Sequence, residues 1–155
     1  MTLRRHLHWW SAGCVAVGFA IAWIMTNLPF TQLLAKFALY QVHKNFGLIV
    51  AGLTAVRLVL AWRAGRAPRG SPLVLYGMLL AVPALGYLTA ATSPVPVPTL
   101  FLMVWSVPHA IGPDSGLFEI AKISHRWLAV ALMALAACHA MGFISSRSNR
   151  SRRGP

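Results

Sequence analysis

Four of the six histidines in this 155-residue chain, His8, His43, His125 and His139, stand toward the ends of long apolar runs. His125 and His139 share the run I-A-K-I-S-H-R-W-L-A-V-A-L-M-A-L-A-A-C-H-A-M, 14 residues apart with almost nothing polar between them. A buried imidazole without a partner costs about 2–7 kcal/mol in an apolar medium. One such histidine is explained by a hydrogen bond to a neighbouring carbonyl. Four at matched depths are better explained as metal ligands, since neutral imidazole is the commonest ligand a side chain offers.

The elements that carry these histidines follow from composition. Hydrophobic residues make up 57% of the chain and charged residues 10%, against about 25% charged in a soluble domain. The class is an integral membrane protein. The only acids are Asp114 and Glu119, and the net charge is +12. Most arginines fall at Arg4 and Arg5, at Arg63, Arg66 and Arg69, and at Arg147, Arg150, Arg152 and Arg153. Confined to the termini and one connection, this charge predicts contact with anionic lipid head groups rather than nucleic acid. Cys14 and Cys138 lie within apolar runs and read as small buried residues, not a disulfide.

Four segments are long enough to cross about 30 Å of hydrocarbon. They run from about 7 to 25, 37 to 62, 72 to 92 and 118 to 145. The expected fold is an all-α, four-transmembrane-helix bundle over residues 1–146, followed by a basic tail over 147–155. The first segment lacks a convincing cleavage site and reads as a retained helix. Ser71 reads as the N-cap of the third helix with Pro72 after it, and Pro83 as a kink in its middle. Residues 93–116 hold five prolines, so a long loop is expected there, with 100–107 lying along the membrane surface. The positive-inside rule places both termini in the cytoplasm, in a bacterial inner membrane.

Direction gives each histidine a depth. The fourth helix enters from outside, so His125 is near the outer face. His139 follows about 21 Å further in and some 40° short of four full turns, hence on nearly the same side of the helix. His8 starts an outward helix at the inner face, and His43 lies on an inward helix near the outer face. The pairs are therefore His8 with His139 and His43 with His125. Helix bundles build cofactor sites from side chains on facing helices. Two imidazoles and a planar macrocycle fit this better than zinc, which takes four ligands in one place. The expectation is two heme b groups with His8, His43, His125 and His139 as axial iron ligands.

Other residues gather around this scheme. Arg57 lies 14 residues after His43 on nearly the same side of its helix. It is expected to pair with a propionate of the inner heme, in preference to snorkelling to the head groups. His6 would replace His8 if the first helix shifted in register. His109, in the proline-rich loop, reads as solvated. Gly13, Gly18, Gly47 and Gly52 serve equally well for close porphyrin approach or for ordinary helix packing. Trp9, Trp127, Phe46 and Phe143 read equally as porphyrin neighbours or as an interfacial aromatic belt.

Several motifs together resemble the prokaryotic cytochrome b561 family. They are R-x-L-H-W ending at Trp9, V-H-K-N-F-G-L from Val42, V-R-L-V-L from Val56, L-Y-x-x-L-L-A-V-P-A-L-G-Y from Leu75, and I-S-H-R-W-L-A through A-C-H-A at Ala140. Their order, spacing and the 14-residue interval agree over most of the chain. The resemblance implies a di-heme, quinone-linked membrane cytochrome. Some members are similar to superoxide oxidase, which passes electrons from outer-side superoxide to ubiquinone. Others carry electrons between quinol and a partner protein, or anchor another subunit. The chain departs from the family's pattern before the L-Y of helix three, after the last ligand, and in its basic tail. Lys36, Lys44, Lys122 and Arg126 against Asp114 and Glu119 leave two excess positive charges at the outer face. These would steer an anionic donor such as superoxide, or else contact lipid phosphates.

Overall fold

The computed structural model describes residues 3–152, with side chains described as far as residue 142. Four helices carry the fold: α1 (Leu3–Asn27), α2 (Leu33–Arg63), α3 (Ser71–Ala91) and α4 (Ser115–Arg152). Each is long and apolar enough to cross a membrane. The chain is an all-α, multi-pass membrane protein, as its composition requires. The segment given to a basic tail continues α4 as far as Arg152. Residues 153–155, the end of that tail, lie outside the described residues.

Helix ends follow local chemistry. Pro29 disfavours helical backbone at the residue before it. Here α1 stops at Asn27, and Lys36 Nζ donates to the carbonyl left at Leu28 (2.8 Å). At the end of α2, Gly65 adopts φ +63°. Gly65 N–H donates to Trp62 O and Arg66 N–H to Ala61 O, each at 2.9 Å. This is the Schellman pattern, which needs a residue able to take positive φ. The N-cap of α3 is Gly70, not Ser71: Ser71 is already helical, and Gly70 O accepts from Leu73 N–H at 3.0 Å. Pro83 lies inside α3 without ending it. Asp114 caps α4, its Oδ1 accepting from Leu117 N–H at 2.9 Å, one turn's donor satisfied by a short carboxylate.

Helix α1 packs on α2 and α3 on α4 along much of their length, and α2 joins the two pairs through α3. The buried residues of α1 are Ser11, Gly18 and Met25, a single stripe repeating every seven residues. Small residues on such a stripe let helices approach closely where lipid gives no hydrophobic drive. In α2 the buried residues are Gln41, Val50 and Thr54. Thr54 and Ser11 are satisfied within their own helices, donating to Val50 O and Leu7 O at 2.7 Å. Most other apolar side chains face outward, as a lipid-solvated bundle demands.

The connection between α3 and α4 differs from the expected loop. It contains an antiparallel hairpin, β1 (Thr99–Phe101) with β2 (Trp105–Val107). Its turn places Leu102 and Met103 at φ 50° and 59°. The free edge of β1 is covered by α2. Gln41 Nε2 donates to Pro98 O at 2.8 Å and its Oε1 accepts from Leu100 N–H at 3.2 Å. One turn on, Asn45 Nδ2 donates to Leu100 O at 2.8 Å and its Oδ1 accepts from Leu102 N–H at 2.6 Å. Two side-chain amides thus stand in for a neighbouring strand, which a strand edge otherwise lacks. Tyr87 fastens the far side, donating to Pro108 O and accepting from Ala110 N–H, each at 2.9 Å.

Gln41 has no exposed surface, and Gln41→Ala would leave two hairpin backbone groups without partners, at about 1–3 kcal/mol each. The expected outcome is a lower melting temperature in detergent and faster proteolysis within residues 95–107.

Candidate heme site

The four predicted histidines fall into two groups, one at each end of the bundle. At the hairpin end, His43 of α2 and His125 of α4 face each other with ring centroids 6.0 Å apart and planes at 82°. At the end carrying the termini stand His8 of α1 and His139 of α4, both exposed. His43 and His125 bridge helices that otherwise pack against other neighbours, α2 on α1 and α3, and α4 on α3.

Backbone carbonyls orient the hairpin-end rings. His43 Nδ1 is 3.0 Å from Gly18 O, and His125 Nδ1 is 2.8 Å from Val82 O. A carbonyl only accepts, so each Nδ1 carries the proton and each Nε2 keeps its lone pair. Metal-ligating histidines are commonly held in this way, the second nitrogen donating to a carbonyl. Gly86, one turn after Val82, supplies the room: a Cβ there would stand 3.0 Å from His125 Cε1 and 3.3 Å from its Nδ1. One turn of α3 thus both accepts the proton and clears the ring. Of the glycines expected to allow close approach, Gly18 contributes its carbonyl to the site, and a Cβ on it would meet only Phe46 Cβ at 3.5 Å. Gly13 and Gly52 have open space around them.

The donor set fits a heme. Two imidazoles bonded on opposite sides of one metal, with bonds of about 2 Å, hold their ring centroids roughly 6 Å apart. Among the described residues no group of three or more His, Cys, Asp or Glu side chains assembles for another metal.

At the terminal end, Arg57 reaches the histidine itself. Its Nη2 donates to His8 Nδ1 at 3.2 Å, and its guanidinium lies 5.0 Å from the Tyr76 ring centroid. With Nδ1 as acceptor, the His8 proton sits on Nε2. Ligation of iron through Nε2 requires Arg57 to release this bond. Trp9 packs edge-on against His8, with centroids 5.7 Å apart, and His8 and His6 are both exposed. His139 borders a cleft of about 490 Å³ shared with Ser71, Leu75, Leu135, Cys138 and Gly142. Phe143 lies beyond the described side chains.

One reading of the hairpin end is revised. His109 is half-buried rather than solvated: its ring stacks edge-on with Tyr87 at 6.3 Å, and its Nε2 is 3.3 Å from Thr99 Oγ1. Three cations of the rim have hydrogen-bond partners and keep their charge. Lys122 pairs with Glu119 at 2.6 Å, Lys44 donates to Val97 O at 3.2 Å, and Lys36 donates to Leu28 O. Sequence reasoning missed Gln41, Asn45, Val82 and Gly86. The signal for the first two was present as two amides, i and i+4, in an otherwise apolar run.

Four membrane-crossing helices, with His43 and His125 brought together at one end, fit a membrane cytochrome b. A family model described as prokaryotic cytochrome b561 matches residues 2–148, and the chain belongs to that family. The family binds heme b and transfers electrons across the membrane. No curated protein matches the chain.

Gly86→Ala forces the His125 ring to move and is expected to lower the heme-to-protein ratio and broaden the reduced α-band. Gly18→Ala, whose Cβ meets only an ordinary contact, is expected to retain both.

Proposed function

We propose that the chain carries electrons across the bilayer through two bis-histidine heme b groups, one held by His43 and His125 and the other by His8 and His139. The observation that carries this is the His43–His125 pair, with ring centroids 6.0 Å apart, planes nearly perpendicular and both Nδ1 protons committed to carbonyls. Such hemes supply one-electron chemistry, and with both axial positions filled they favour electron transfer over oxygen binding. The residues' part is to hold each ring's orientation and tautomer, exclude water and set distance. Arg57, a cation at the depth of His8, is assigned to a propionate of that heme. This requires its guanidinium to turn from His8 Nδ1, a short rotation for a long side chain.

The termini are assigned to the cytoplasmic side of a bacterial inner membrane, because the arginine clusters lie there and both acids at the other end. Electrons then pass from an outer-side donor, superoxide or another small reductant, to membrane ubiquinone. The hairpin covers the donor's side. Lys36 and Lys44 donate to neutral carbonyls and keep their charge, so the two excess positive charges at this face support steering of an anionic donor. Lys44→Ala should lower the rate of reduction by superoxide and its salt dependence, as read by stopped-flow at two ionic strengths.

Single alanine substitutions test the pairing by reduced-minus-oxidised spectra and redox titration. His43→Ala and His125→Ala are expected to remove the same component, and His8→Ala and His139→Ala the other. Loss of different components within a pair would overturn the assignment, and absence of any b-type band would overturn the heme reading.

A further inference from the structure

The terminal end of the bundle holds a second constellation, outside the facing histidines. A cavity of about 290 Å³ opens between α1, α2 and the start of α3. Three guanidinium side chains line it, one from each of three segments: Arg4 on α1, Arg57 on α2 and Arg66 in the α2–α3 connection. Tyr76 lies beneath Arg57, and Pro68 and Pro72 stiffen the opposite wall. Arg4 is fixed in place by donating to Leu60 O at 2.7 Å.

Three converging like charges repel one another and need an anion. This chain has no carboxylate side chain to offer. Its only two acids, Asp114 and Glu119, stand at the other end of the bundle, where Asp114 caps α4 and Glu119 pairs with Lys122. The counter-charge must come from outside the protein's side chains. The depth says from where. Trp9, Trp10 and Trp62 at this end are 62%, 68% and 78% exposed, the placement of an aromatic belt at head-group level. The volume falls just below that of a drug-sized pocket, which suits a compact anion. Guanidinium forks match phosphate oxygens bidentately.

We propose that Arg4, Arg57 and Arg66 form a binding site for a phosphate group, supplied by the head group of an anionic phospholipid at this membrane face or by free phosphate. The site shares Arg57 with the histidine pair beside it. Arg4 and Arg66 belong to the cavity alone, so they carry the test.

The heme-loaded full-length protein would be purified in detergent and titrated with phosphatidylglycerol or phosphatidylcholine, with retained lipid counted by native mass spectrometry. The double variant Arg4→Gln/Arg66→Gln is compared with Arg5→Gln/Arg63→Gln, which removes two exposed charges at the same end that do not line the cavity. The expected result is retention of phosphatidylglycerol over phosphatidylcholine by the unaltered protein and by the control. The cavity variant should bind it about tenfold more weakly or less. Displacement of the retained lipid by millimolar inorganic phosphate would identify free phosphate as the occupant of the same site. Equal weakening in both double variants would show diffuse surface charge and overturn the site, as would unchanged retention in the cavity variant. Loss of heme without change in lipid retention would assign these arginines to a propionate and equally overturn it. An unaltered heme spectrum reports that each variant is folded, and Arg66→Gln alone, in a loop, gives a second reading. Failure of the two-heme assignment would appear in the spectrum of the unaltered protein, separately from lipid retention.

Discussion

The arrangement depends on the hydrogen bond from an imidazole Nδ1 to a helix carbonyl. In lipid a histidine must be satisfied twice, once at each ring nitrogen. The carbonyls of Gly18 and Val82 take the Nδ1 protons of His43 and His125, which leaves Nε2 as a lone-pair donor. Carbonyls inside a helix are already bonded, but each has a second lone pair to offer. The helix therefore provides an orienting acceptor without breaking its own ladder. A side chain must be absent where the ring approaches, and Gly86 meets that need on α3.

The bundle keeps polar groups satisfied by the same economy elsewhere. Gln41 and Asn45, rooted one helical turn apart, give the outer edge of β1 a donor and an acceptor each. That edge lies over the end of the bundle where His43 and His125 meet. The hairpin thus roofs one histidine pair through residues on α2, the helix that supplies His43. The position of His43 and the anchoring of the hairpin thus come from one helix.

That His43 and His125 stand together was legible because charge, span length and helical rise are local properties, and together they fix depth. The four spans were legible for the same reason, with edges within one residue at the Schellman end of α2 and the Gly70 cap of α3, and displaced most at the far end of α4, which runs on to Arg152. The hairpin was not, because its strands are short, proline-flanked and completed by amides 57 and 55 residues away in sequence. Nor was the partnership of Val82 and Gly86 with His125, since a carbonyl and a missing Cβ leave no chemical signature. Arg57 was recognised as a misplaced charge. Its hold on His8 rather than on a more distant anion depends on the rotamer of a long side chain, which sequence does not encode.

Family membership assigns heme b to this chain, and the proposed two-heme arrangement makes stoichiometry the quantity to measure. The direct test of the central claim is the heme content of the purified full-length protein, by pyridine hemochrome assay against protein measured by amino-acid analysis. Two hemes per chain, both low-spin, are predicted. A ratio of one, or a high-spin fraction reporting an open coordination position, would contradict paired histidines at both ends of the bundle.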